Sequence, residues 1–204
     1  MFTGIIQDVA KIVCIKKCKN FSQWTIQLYN IDINTLLLGS SISCNGCCLT
    51  VKSIYNDHVN VDIIQETLKL TSLKNFHESQ YINIERSVKF GEEIGGHLVS
   101  GHIMTTAKIC EVIICDDPIR QLWMKLNDIS FMKYIFYKGF ICIDGISLTI
   151  GNIKKNLFCV FLIPTTILNT TIGSKSIGDI VNIEIDYFTK LTVDSVEQVI
   201  SKVK

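Results

Sequence analysis

The chain has 204 residues, nearly half of them apolar, with 20 Lys and Arg against 19 Asp and Glu. That length accommodates one large domain or two of about 100 residues, and a net charge of +1 gives no general attraction for nucleic acid or an anionic membrane. Apolar runs such as 157–164 stop well short of the roughly 18 residues of a membrane span, and Met1-Phe2-Thr3-Gly4 opens without the basic and apolar regions of an export signal.

In chain order, Lys16-Lys17-Cys18-Lys19 reads as a solvated loop or strand end. Asn45-Gly46 is a strong hairpin dipeptide, because a tight two-residue turn needs positive φ. Its flanks are rich in Ile, Val, Leu, Thr and Cys, which suit half-buried strands. Asn56-Asp57 marks a second turn. Gly91-Glu92-Glu93-Ile94-Gly95-Gly96 reads as a boundary, since glycines relax the chain there and charge interrupts it. Asp144-Gly145 and Lys154-Lys155-Asn156 then repeat the two turns. Helical periodicity is almost absent until Leu191, after which Val193, Val196, Val199, Ile200 and Val203 form an apolar stripe. Thr192, Asp194 and Ser195 are candidate caps for that helix, and its stripe must pack on this chain or on another subunit.

Nine cysteines without an export signal point to reduced thiols and a cytoplasmic location. Cys44 and Cys47 form a C-x-x-C with no second pair at zinc-ribbon spacing. His97 and His102 are not spaced as a helical metal pair around a Glu. No metal is expected.

Laid on itself at an offset of 99, residues 39–85 face 138–184 with 12 identities in 47 positions. Ile42–Val51 answers Ile141–Ile150, Ile64–Thr67 answers Ile163–Thr166, and Asn83-Ile84-Glu85 answers Asn182-Ile183-Glu184. At an offset of 97, Phe2–Ile6 answers Val99–Ile103. Matches in one order mean duplication of a small domain. The expected division is 1–94, 95–187 and a terminal helix at 188–204. Each copy reads as a closed barrel or sandwich of short strands.

The repeated polar residues suggest a ligand. Ser147 and Thr149 answer Cys48 and Thr50, beside Gly4-Ile5-Ile6 and Gly101-His102-Ile103. Small polar groups over an apolar floor suit a flat heteroaromatic carrying a polyol. Asp62 could accept hydrogen bonds from ligand hydroxyls, and its counterpart is Phe161, so the two pockets should differ. Ordinary barrel packing with polar strand ends is the alternative, and recurrence in both copies favours a site.

Met1–Ile6, Asn45–Val51, Glu66-Thr67-Leu68, Gly95–His102, Lys138-Gly139, Asp144–Thr149 and Gly178–Asp186 together resemble the riboflavin synthase alpha-chain family over essentially the whole chain. The Gly-Gly-His-x-Val-Ser-Gly-His run and the opening hexapeptide are the specific parts. The resemblance implies an all-β fold of two tandem six-stranded antiparallel Greek-key barrels and a C-terminal helix that assembles a homotrimer. It implies a transferase without a cofactor, acting at the last step of riboflavin biosynthesis. Two molecules of 6,7-dimethyl-8-ribityllumazine would exchange a four-carbon unit, giving riboflavin and 5-amino-6-ribitylaminouracil, where the N-barrel of one subunit faces the C-barrel of another. Association with lumazine synthase is left open.

Carried over by position, the N-barrel pocket would use Gly4, Ile5, Ile6, Cys48, Leu49, Thr50, Asp62, Ile63, Ile64, Gln65, Glu66 and Thr67. The C-barrel pocket would use Gly101, His102, Ile103, Lys138, Ser147, Leu148, Thr149, Leu162, Ile163, Pro164, Thr165, Thr166 and Ile167. His102 is the expected acid–base group, Ser147 positions or activates the nucleophile that adds at C7, and Asp186 steers the ring or a proton. The family's Ile-Pro-His-Thr reads Ile-Pro-Thr-Thr here, so position 165 offers no imidazole. Two other readings are a non-catalytic lumazine or flavin antenna protein and a flavin-dependent reductase domain. The latter would need a nucleotide-binding partner domain, and no G-x-G-x-x-G occurs.

Overall fold

The computed structural model describes residues 1–116 and 118–203. Twelve strands close into two barrels. The first comprises β1 (Asp8–Lys17), β2 (Phe21–Gln27), β3 (Ser41–Cys44), β4 (Cys47–Tyr55), β5 (His58–Ile64) and β6 (Tyr81–Arg86), ordered β1-β2-β5-β4-β3-β6. The second comprises β7 (Thr105–Asp116), β8 (Ile119–Leu126), β9 (Phe140–Ile143), β10 (Ile146–Lys154), β11 (Leu157–Leu162) and β12 (Ile180–Ile185), in the same order around the ring. All neighbouring pairs are antiparallel, and closure leaves neither barrel with a free edge.

Alternation along the strands produces the two cores. In β2 every second residue is buried, which sends Trp24 and Ile26 inward beside Ile12, Ile42, Ile63, Ile82 and Ile84. The second barrel fills the same space with Ile109, Leu122, Met124, Ile141, Phe158, Val160 and Ile183. Fully burying each such side chain contributes roughly 1.5–3 kcal/mol. Corresponding register shifts in β4 (between Val51 and Ser53) and β10 (between Ile150 and Ile153) bend the strands toward closure. Asn45-Gly46 and Asp144-Gly145 form the hairpin turns, with φ of 45° and 80° in one and 47° and 85° in the other. Cys44 and Cys47 face each other across the first of these turns, and burial pushes the Cys47 thiol up to about 12.

Two features depart from the sequence reading. Short helices α1 (Gln65–Leu70) and α2 (Pro164–Asn169) follow β5 and β11. Their six residues are too few to establish a period. The terminal helix α3 runs from Tyr187 to Val203, one residue from the expected start at 188 but a turn before the cap candidates near Thr192. Asp186 is its cap: the carboxylate accepts from the Thr189 amide and hydroxyl, both at 2.8 Å. Thr192, Asp194 and Ser195 lie inside the helix. Val193 packs on the second barrel, whereas Val196, Val199 and Ile200 stay exposed within the chain. No helix among the described residues is long and apolar enough to cross a membrane.

The barrels meet along a buried polar seam with pseudo-two-fold symmetry. Asn83 donates its side-chain amide to the Asp144 carbonyl at 3.0 Å, and Asn182 donates to the Asn45 carbonyl at 2.9 Å. The Asn45 and Asp144 side chains accept the amides of Asn83 and Asn182 in their own barrels. The symmetry is broken chemically, since one barrel has an amide where the other has an acid. Asp144 Oδ2 is buried without a partner, and burial raises its carboxyl to about 6.

Candidate functional site

The site begins with the two lead-in segments, Phe2–Ile6 and Val99–Ile103. Each is held by a buried glutamate at the end of its own barrel. Glu85 accepts from the Thr3 amide and hydroxyl (2.6 and 2.7 Å) and from the Gly4 amide (3.0 Å). Glu184 does the same for Ser100 and Gly101. Phe2 and Val99 then pair as a short antiparallel bridge, which draws the two segments together.

Beyond that bridge the segments cross. Gly4 presents its carbonyl to the Ser147 amide at 2.8 Å, and Gly101 presents its carbonyl to the Cys48 amide at 2.8 Å. Ile6 packs on the core of the second barrel and Ile103 on the core of the first. This corrects the grouping expected from sequence, in which Gly4–Ile6 served the N-barrel pocket and Gly101–Ile103 the C-barrel pocket. The repeat alignment identifies equivalent segments but carries no information about which hairpin each one reaches.

Two openings result. The first candidate opening lies where Cys48 meets Gly101, with Thr50, Asp62 and His102 the further residues expected there. The second lies where Ser147 meets Gly4, with Thr149, Lys138 and Ile5 the further residues expected there. Side chains alternate along the strands lining them. Leu49, Ile63, Leu148 and Leu162 therefore point into the cores and can offer a ligand only backbone groups. Thr50, Thr149, Ile64, Phe161 and Ile163 point outward and are exposed. Asp62 is engaged by Lys52 Nζ at 2.7 Å, and its other oxygen is buried and unpaired. Gln65, Glu66 and Thr67 lie on α1, and Pro164, Thr165, Thr166 and Ile167 on α2. Lys138 occupies a left-handed turn with φ of 66°.

His102 is exposed at the first opening, its amide donating to Ser100 Oγ at 3.2 Å. Ser147 belongs to the second opening, so a single chain does not unite these two groups. The imidazole beside Ser147 is His97, whose Nδ1 lies 2.7 Å from the Ser147 hydroxyl. His97 is buried, stacks on Phe140 with ring centroids 5.1 Å apart, and donates its amide to the Thr3 carbonyl. Burial lowers its pKa from the ordinary 6.5, against a smaller upward pull from Asp186. Neutral imidazole is thus favoured. Sequence reasoning discounted His97 as a metal ligand and counted it within the family's Gly-Gly-His run, but gave it no place in the site. The available signal was Gly95-Gly96 before it, because a Cβ at Gly96 would come within 2.6 Å of Ser147 Cβ. Asp186 is occupied as the α3 cap while contributing negative potential near His97.

The duplicated barrels and their crossed lead-in segments define a tandem-barrel protein. The lumazine binding domain family matches residues 3–87 and again 100–186. Riboflavin synthase of Buchnera aphidicola subsp. Baizongia pistaciae is 58% identical over 200 residues, covering 98% of this chain and 94% of that protein. Riboflavin synthase of Escherichia coli K12 is 48% identical, again covering 98% and 94%. The crystal structure of LumP complexed with riboflavin superposes with a TM-score of 0.83 at 24% identity, covering 91% of this chain and all of that one, a likeness of fold. The chain belongs to the riboflavin synthase family.

Proposed function

We propose that the protein is a riboflavin synthase, transferring four carbons from one 6,7-dimethyl-8-ribityllumazine to another to give riboflavin and 5-amino-6-ribitylaminouracil. The products contain all the atoms of the two substrates, so the overall reaction needs no external oxidant or reductant. The observation that carries the reading is the Ser147–His97 contact, which sets an imidazole nitrogen 2.7 Å from a hydroxyl on the β10 strand that Gly4 crosses.

The lumazine C7 methyl is acidic because its carbanion delocalises into the ring. Neutral His97 can take the Ser147 proton through Nδ1 as the serine oxygen, or a water it holds, adds at C7 of one lumazine. His102, Thr50, Cys48 and Asp62 present the second lumazine, with His102 exposed to exchange the methyl proton. Ile5, Ile64, Phe161 and Ile163 offer apolar faces for the rings. Holding two reactants in register can contribute roughly 7–11 kcal/mol, and a placed acid–base group about 10² to 10⁴ in rate.

Within one chain the two openings belong to different hairpins. The reading therefore pairs the His102 opening of one subunit with the Ser147 opening of another, in a homotrimer assembled through α3. The exposed Val196, Val199 and Ile200 support that assembly. Incubating purified protein with the lumazine should yield riboflavin absorbance and the diaminouracil in equal amounts. Lumazine binding without riboflavin formation would favour the antenna-protein reading instead.

A further inference from the structure

Strand register makes the two barrels comparable residue by residue. Ser22 of β2 lies opposite Ile63 of β5, and Arg120 of β8 lies opposite Leu162 of β11. Ile63 and Leu162 are counterparts at the repeat offset. Ser22 and Arg120 therefore occupy one position of the fold. In the second barrel the Arg120 guanidinium closes the barrel end by donating to the Gly173 carbonyl at 2.6 Å. Ser22 cannot reach across, and its hydroxyl accepts only from the Trp24 indole at 3.1 Å.

What remains at the first barrel is a cavity of about 710 Å³ between the β1–β2 turn, α1 and the segment after it. Its base is apolar and aromatic: Trp24 and Leu73 are each 1% exposed, and the Phe76 ring lies 6.2 Å from that of Trp24. Lys17, Lys69 and Lys74 reach the rim from three separate segments. The single carboxylate there, Glu78, is tied to the Ile15 amide at 2.8 Å. Of the residues assigned to the two openings, Gln65 alone also lines this cavity.

The partly exposed rings of Phe21 and Phe76 over the Trp24 floor favour a planar ring, while three ammonium groups against one tethered carboxylate favour an anion. The volume falls within the range of small-ligand sites. We propose that this cavity binds a planar aromatic carrying a phosphate monoester, of nucleotide size, at a site separate from the paired lumazine openings. At the corresponding position of the second barrel, the Arg120 plug occupies the space that Ser22 leaves.

The chain has two tryptophans, so Trp123→Phe leaves Trp24 as the sole reporter. That protein should show saturable Trp24 quenching by adenosine 5′-monophosphate. Adenosine should bind roughly tenfold more weakly, because it lacks the charge-assisted contacts. Ribose 5-phosphate and inorganic phosphate at matched ionic strength should give no quenching. Adding Ser22→Arg, which imports the plug, should abolish the response while leaving lumazine turnover unchanged. Lys17→Gln with Lys74→Gln alters only the rim, and should reduce the nucleotide to the affinity of adenosine even where the arginine variant fails to fold. Equal affinity for adenosine and its monophosphate, undiminished binding by Ser22→Arg, or displacement of the nucleotide by lumazine would overturn the assignment. The readout is binding at Trp24, so failure to make riboflavin would leave this test standing.

Discussion

Gly96 shows how little freedom the reactive opening has. Any side chain there would drive into Ser147, and the glycine is what lets His97 approach the serine hydroxyl. Ser147→Ala should therefore lower kcat by roughly 10² or more with a smaller change in KM, whereas Thr50→Ala should chiefly raise KM. Steady-state kinetics giving one pattern for both variants would contradict this division of roles. The protonation of His97 adds a pH dependence. Burial depresses its pKa, so neutral imidazole persists below the ordinary 6.5 and activity should fall only as acidity passes that lowered value. His97→Gln should remove this acid limb from the kcat profile, while His102→Gln should leave it in place.

At the scale of elements, the hairpin turns and the cap decide local geometry. Asp144 occupies the turn position held by Asn45 in the other barrel, and its carboxyl is raised to about 6 from 3.8 by complete burial. Below the unfolded value both states hold the proton and the residue costs nothing. As pH rises from about 4 to 6 the unfolded chain ionises first, and stability falls by about 3 kcal/mol. Asp144→Asn should consequently raise Tm at pH 7.5 and leave it nearly unchanged near pH 4, as thermal melts at the two values would reveal. Asp186→Ala removes the α3 cap and should cost about 0.5–2 kcal/mol of stability. Circular dichroism with thermal melting would detect both the loss and any fraying of the helix. These effects were half legible in the chain. Asn45-Gly46 and Asp144-Gly145 announced the hairpins, since only such residues take positive φ easily. The cap at Asp186 was hidden because the apolar stripe starts a turn later.

For the whole molecule, the crossing of the lead-in segments makes the barrels interdependent. Ile6 and Ile103 each pack on the opposite core, and separating the chain near residue 94 would strip both barrels of that contact. The exposed face of α3 bears on assembly. If α3 assembles the proposed trimer, deleting Leu191–Lys204 should leave both barrels folded yet give smaller species in light scattering, and activity should fall with it. An unchanged mass would count against the helix as the assembling element.

Alternation of apolar and polar residues, turn dipeptides and the internal repeat were enough to establish duplicated β-barrels, because those signals are local and each is enforced by burial or backbone strain. The family's motifs along the same chain pointed to the chemistry. Tertiary structure alone decided that the lead-in segments exchange hairpins, that His97 is the imidazole beside Ser147, and that Ser22 leaves open what Arg120 closes. Each of these depends on which distant segments meet in space, and a repeat in sequence records likeness between segments without recording contact.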